Sequence, residues 1–199
     1  MKLLASPTSP FARKVRILIR EKNATNLVPE TVVSVLDDPE ELLSVNPLGK
    51  IPALQTKEGT TLFNSPLVCQ YLDETLPGTK FLPPAGDSYW KAMRFVTIGD
   101  GISEAAFLLT MERNRPEAER SSMWTGRWQR AITRSLDLLE KEADDLQGPL
   151  DLGIIAIGCA LGYLDFRHGH LEWRNTRPAL AAIAERVLAL PSFKETAPA

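Results

Sequence analysis

Two periodicities divide the chain. Up to about residue 75, short apolar runs alternate with amphipathic stretches, the pattern of strands interleaved with helices. Lys2–Ala5 predicts a strand, and residues 10–22 a helix with Phe11, Val15, Leu18 and Ile19 on one face. Residues 31–35 are rich in β-branched side chains and predict a second strand. A polar connection, with room for one short helix, follows. Residues 53–56 and 61–63 then flank Lys57-Glu58-Gly59-Thr60, a hairpin with glycine in its turn. Ser65-Pro66 opens another helix, with Leu67, Val68, Tyr71 and Leu72 on one side. Ser65 is expected as the N-cap and Pro66 at the first helical position.

Residues 76–87 contain Pro77-Gly78 and Pro83-Pro84 and predict a linker. Beyond it the strand signal disappears. Residues 87–113 and 116–146 predict two long helices, the second carrying Trp124, Trp128, Ile132, Leu136 and Leu139 at helical spacing as core positions. The run from Leu152 to Leu164 is apolar throughout. It falls short of the roughly 20 residues of a membrane span and predicts a buried helix. Its Gly153, Ala156, Gly158, Ala160 and Gly162 would let neighbouring helices approach closely. Arg177-Pro178 begins a last helix running to about residue 190. The expected architecture is an α/β domain over residues 1–77 followed by an all-α domain over residues 86–199. The first is too small for a dinucleotide fold and has no Gly-x-Gly-x-x-Gly.

Composition narrows the chemistry. With 199 residues, 23 basic and 25 acidic, the formal charge is −2, which calls for neither a nucleic acid nor an anionic membrane as partner. Cys69 and Cys159 are the only cysteines, and His168 and His170 the only histidines. That inventory excludes a disulfide framework and a cysteine-built zinc site. Both cysteines fall within helices and are expected as buried small hydrophobes. His168 and His170 flank Gly169 with no third ligand near, so a solvated loop is expected there and no metal. The stretch Met1 to Pro7 is too short and too weakly apolar for a signal peptide, and the expected compartment is the cytoplasm, with reduced thiols.

Three segments carry polar groups suited to a ligand. In Ser6-Pro7-Thr8-Ser9-Pro10-Phe11, Ser9 is placed to cap a helix whose free N–H groups and positive dipole end favour an anion. Arg13, Lys14 and Arg16 add positive charge along that helix. In Asn46-Pro47-Leu48-Gly49-Lys50-Ile51-Pro52, an X-Pro bond leads into a strand, a place where cis peptides occur. A cis turn there would offer the Ile51 backbone to a peptide-like ligand. Asn64-Ser65-Pro66 presents polar side chains at a second helix start. Taken singly, the first two segments read sooner as a capped surface helix and a plain proline-bearing loop, while at Ser65 capping and binding can hold at once.

In this order, the three segments resemble the glutathione transferase family, and the likeness extends through Asp151 to Leu190-Pro191-Ser192-Phe193-Lys194. Thr8-Ser9-Pro10-Phe11, Asp100-Gly101 and Gly162-Tyr163-Leu164-Asp165-Phe166-Arg167 are similar to its bacterial YibF-like branch. The resemblance implies a thioredoxin-like N-terminal domain and an all-helical C-terminal one. It places Ser9 where serine-type members hold the hydroxyl that donates to the glutathione sulfur, and where omega-type members hold a cysteine. It implies that Phe11 adjoins the glutathione site, that Lys50 meets the glycyl carboxylate, and that Ile51, before the cis-proline Pro52, pairs with the cysteinyl backbone. Ser65 would bind the γ-glutamyl carboxylate. Asn64 departs from the Glu, Asp or Gln usual there, which leaves an uncharged contact to the γ-glutamyl ammonium. Asp151 keeps a helix cap, while Ile154 replaces the acidic residue of the reciprocal capping box.

The implied activity is a glutathione S-transferase in which Ser9 stabilises the thiolate for attack on a small electrophile, by conjugation or in peroxide reduction. Phe107, Met111, Tyr163 and Arg167 are the candidates to line the electrophile pocket. Glutathione is the co-substrate, no metal is needed, detoxification is the broad role, and a homodimer is expected. The rival class is a non-catalytic binding or regulatory protein on the same scaffold, resembling stringent starvation protein A. A glutaredoxin-type redox protein is disfavoured, because no cysteine stands near Ser9.

Overall fold

A computed structural model describes residues 1–198. The chain contacts divide it into two compact units: Met1–Ala92 together with the chain from Pro191 onward, and Met93–Leu190. In the first, β1 (Lys2–Ala5), α1 (Pro10–Glu21), β2 (Glu30–Val32), α2 (Glu40–Leu43), β3 (Ala53–Gln55), β4 (Thr61–Phe63) and α3 (Ser65–Thr75) follow in order. The sheet runs β2-β1-β3-β4, with β1 and β2 parallel and the other pairs antiparallel. This is the thioredoxin-like arrangement. The second predicted strand is shorter than its β-branched run, because the chain turns at Val35–Asp37 into a 3-10 turn.

Helix α1 forms as its pattern predicts. Val15, Leu18 and Ile19 are buried, Phe11 is half-buried, and Ile17 joins the core from the neighbouring stripe. Its cations are buried or paired. Arg13 and Lys14 are buried, while Arg16 Nε donates to Glu30 Oε2 at 2.7 Å. Burial opposes charge on Glu30, but hydrogen bonds from Arg20 and Arg16 outweigh it and lower the carboxyl's pKa.

The linker after α3 is fastened by a buried ion pair. Lys22 Nζ lies 3.0 Å from Asp73 Oδ1 and donates to the Thr79 carbonyl at 2.8 Å. Asp73 in turn accepts from the backbone N–H groups of Phe81 and Leu82. Both charged side chains are almost completely enclosed, so the fastening depends on every partner being present. Removing one alone would cost about 3–5 kcal/mol.

The second unit takes most of α4 (Asp87–Arg113), then α5 (Ser122–Lys141), α6 (Leu152–His168) and α7 (Pro178–Leu188). A last short helix, α8 (Pro191–Glu195), groups with the first unit. The single helix expected over residues 116–146 is broken at both ends, by a 3-10 turn at Glu117–Glu119 and another at Ala143–Leu146. Helix α6 is buried nearly all round, and Asp151 caps it by accepting from Ile154 N at 2.8 Å. Its small residues serve the close approach expected of them. A Cβ at Gly99 of α4 would fall 2.7 Å from the Ala156 backbone.

Two side-chain expectations need correction. Trp124 is 45% exposed and stacks on half-buried Trp128 at 5.8 Å, so the first turns of α5 are not core. His168 is buried rather than solvated, since α6 extends through it. Its Nε2 lies 2.8 Å from the Ala106 carbonyl and 3.1 Å from Thr110 Oγ1 on α4. A carbonyl only accepts, so Nε2 carries the proton. Both cysteines are buried as expected.

Candidate glutathione site

The sheet register brings the three segments to one place. Leu4 pairs with Ala53, and Ala53 pairs with Phe63. The end of β1, the start of β3 and the end of β4 therefore lie side by side across the sheet. Residues 6–9 leave that edge into α1, residues 50–52 arrive at it, and residues 64–65 leave it into α3. All the residues assigned to glutathione, Ser9, Phe11, Lys50, Ile51, Pro52, Asn64 and Ser65, thus belong to one end of the first unit.

Ser9 is the N-cap of α1, with φ −79° and ψ 122°. Its Oγ accepts from Ala12 N at 3.2 Å. Capping uses one lone pair of the hydroxyl and leaves its proton free to donate. Structural and chemical roles are therefore compatible in one side chain. Neighbouring Ser6 and Thr8 share a hydrogen bond, their hydroxyl oxygens 3.2 Å apart, which engages the proton of one of them. Arg13 and Arg16 are engaged elsewhere, by the Phe193 carbonyl and by Glu30. The helix end itself adds positive character at Ser9.

The Ile51–Pro52 peptide is cis. Ile51 is half-buried and lies two residues before the first ladder pair of β3, outside the sheet's hydrogen bonding. The turn before it is organised by Asn46, a residue given no role by the sequence reading. Buried Asn46 donates through Nδ2 to the Lys50 carbonyl at 2.6 Å, and its Oδ1 accepts from Leu48 N at 3.0 Å. Gly49 takes φ +61° in that turn, and Lys50 is exposed. An asparagine beside a proline in a polar connection was the available signal, since its side chain replaces backbone turn partners.

At the third segment the cap is one residue earlier than expected. Asn64 is the N-cap of α3 and makes no side-chain cap bond, while buried Ser65 is the first helical residue. Asn64 sits at φ 77°, ψ 118°, a conformation that costs a non-glycine residue about 1–3 kcal/mol. That strain turns the chain sharply between β4 and α3. It leaves an exposed amide side chain beside a helix N-terminus that suits a carboxylate.

The four electrophile candidates lie in the second unit. Phe107 and Met111 are partly exposed one helical turn apart on α4. Tyr163 is buried within α6, and half-buried Arg167 lays its guanidinium over Phe166 at 4.1 Å. Among the described residues no cluster of metal-binding side chains occurs, and no helix is long and apolar enough to cross a membrane.

Residues 8–75 match the family described as Glutathione S-transferase, N-terminal domain. The Escherichia coli GST-like protein YibF is 35% identical over the whole of this chain and 98% of its own length. A glutathione transferase family member from Pseudomonas fluorescens, solved with bound glutathione, superposes with a TM-score of 0.96 at 35% identity, covering all of this chain and 98% of that one. The stringent starvation protein A homolog of Pasteurella multocida is 35% identical over 42% of this chain and 38% of its own. The chain belongs to the glutathione S-transferase family, in its YibF-like bacterial branch.

Proposed function

We propose that the protein is a glutathione transferase that binds glutathione at the shared sheet edge and stabilises its thiolate through Ser9. The observation that carries this is the Ser9 hydroxyl, which caps α1 with a lone pair and keeps its proton for the sulfur. A free cysteine thiol has a pKa near 8.5 and is only a few per cent ionised at neutral pH. A hydroxyl donor and a helix N-terminus both favour the charged form. The thiolate then attacks a small electrophile. Its sulfur forms the new bond to carbon, and a leaving group departs or the adjacent carbon takes up a proton. Ser9 stabilises charge and is not itself the nucleophile.

The remaining residues clamp the tripeptide. The Ile51 backbone takes the cysteinyl backbone, Lys50 the glycyl carboxylate, and Ser65 with the α3 N-terminus the γ-glutamyl carboxylate. The glutathione bound by the Pseudomonas fluorescens relative supports glutathione as the ligand. Phe107, Met111, Tyr163 and Arg167 remain the electrophile-binding candidates, detoxification the broad role and the cytoplasm the compartment. A homodimer is the assembly expected of the family. Light scattering should give twice the chain mass, and a monomeric mass contradicts that part.

Isothermal calorimetry should detect glutathione binding in the micromolar-to-millimolar range. No heat at millimolar glutathione would overturn the transferase reading. It would favour a regulatory protein like stringent starvation protein A, which Asn64 in place of the usual Glu, Asp or Gln and the partial likeness to that protein also support.

A further inference from the structure

We infer that the C-terminal helix α8 is a positioning element for Ser9, acting through Arg13. This rests on the thiolate role proposed for Ser9. Arg13 N donates to the Ser9 carbonyl at 3.0 Å, closing the first turn of α1. The side chain of the same residue is buried, and its Nη2 donates to the Phe193 carbonyl at 2.9 Å. Its Nε faces Thr196 Oγ1 at 3.5 Å, and its guanidinium lies over the Phe193 ring at 5.5 Å. One residue therefore joins the carbonyl of the capping serine to the C-terminal segment.

The grip is repeated at the other end of α1. Ser192 Oγ donates to Glu21 Oε1, and Arg20 Nε lies 3.3 Å from Glu195 Oε2. The segment itself is internally tied, since Thr196 Oγ1 donates to the Ser192 carbonyl at 2.7 Å. Phe193 and Thr196 are fully buried. A helix held at its first and last turns can neither slide along its axis nor tilt at its N-terminus. Hydroxyl donation to a sulfur is directional, and a tilt of the first turn moves Oγ off the line to the thiolate. A clasp needed only for stability would be served by apolar packing. Here a buried guanidinium is instead spent on the turn that carries the site.

The test uses the full-length protein with Arg13→Met, which keeps apolar bulk but breaks the bonds to α8, and with Ser192→Ala at the far end. The thiol of bound glutathione is titrated by its ultraviolet thiolate absorbance, beside a calorimetric glutathione Kd and a thermal melt. The inference expects Arg13→Met to raise the bound thiol pKa by at least half a unit while Kd changes less than threefold. Ser192→Ala should give a smaller shift in the same direction. A bound thiol pKa that stays at the wild-type value in both variants would overturn it and reduce α8 to a stabilising clasp. Should Arg13→Met not fold, Thr196→Val, which removes the hydroxyl facing Arg13 Nε, takes its place under the same criteria. A wild-type protein that leaves the thiol at its free value refutes the Ser9 reading itself, an outcome separate from the failure of the α8 role.

Discussion

Replacing Ser9 by alanine removes two things that can be measured apart. The first is the cap bond to Ala12 N. Its loss costs about 1 kcal/mol and lowers Tm by roughly 2–4 °C in a chain of this size. The second is the donor to the sulfur. A hydrogen bond to a charged group is worth about 1.5–3 kcal/mol, or about 1–2 pKa units. Wild-type bound thiol then titrates at about 6.5–7.5, so that about 9–50% is thiolate at pH 6.5, against about 1% without the donor. A less basic thiolate is also a weaker nucleophile, with a Brønsted slope of about 0.4–0.5, which returns about three- to tenfold of that advantage. The net fall in turnover for Ser9→Ala at pH 6.5 is therefore about three- to fivefold. The deficit should close near about pH 7.5–8 and reverse above it, as the variant's more basic thiol also ionises. Steady-state conjugation of a chloronitrobenzene across this range, at saturating glutathione, measures it. Ser9→Asp keeps a capping oxygen while repelling the thiolate, so it should recover Tm and not turnover. A ratio of wild-type to Ser9→Ala turnover that does not change with pH would refute the thiolate role, as would recovery of turnover in Ser9→Asp. Thr8 or Ser6 would then be the next candidate.

Three further outcomes follow from the geometry. Asn64→Asp places a carboxylate where the γ-glutamyl ammonium is expected and should tighten glutathione binding about three- to tenfold by calorimetry, since a charge-assisted bond is about twice as strong as a neutral one. Gly99→Ala drives a Cβ to 2.7 Å from the Ala156 backbone, and denaturant unfolding should show a loss of about 3 kcal/mol or more as α4 and α6 are forced apart. The His168 pKa is lowered by burial and by the cations Arg113, His170 and Arg167, which prevail over the Ala106 carbonyl bond that raises it. The imidazole is thus neutral in the fold and titrates near 6.5 in the unfolded chain. Its contribution is full above about pH 6.5 and is lost as pH falls toward the lower folded value, at no more than about 1.4 kcal/mol per pH unit. Urea unfolding at pH 7.5 and 5.5 should show this dependence reduced in His168→Gln.

The elements were legible where one local rule decides them. Ser9-Pro10 marked the start of α1, Gly59 the hairpin turn, and the uninterrupted apolar run the buried α6. The convergence of the three site segments was not legible, because it depends on the pairing of β1 with β3 and of β3 with β4. What stayed hidden depends on partners far away in sequence. Arg13 reads as a surface charge until Phe193 closes over it, and Asn46 reads as a loop residue until the turn folds round it. Ser65 before a proline is a strong cap signal, yet the sharp exit from β4 puts that cap on Asn64, at positive φ. Trp124 follows the core spacing of α5 but lies in its first turn, where only part of the ring is covered.

The central claim is that glutathione binds with its sulfur on Ser9. A crystal structure of the protein soaked in millimolar glutathione tests it most directly. The account predicts the sulfur within hydrogen-bond distance of Ser9 Oγ, the cysteinyl backbone paired with Ile51 beside Pro52, and the γ-glutamyl carboxylate at Ser65. A sulfur directed away from Ser9, or a tripeptide bound elsewhere, would contradict it.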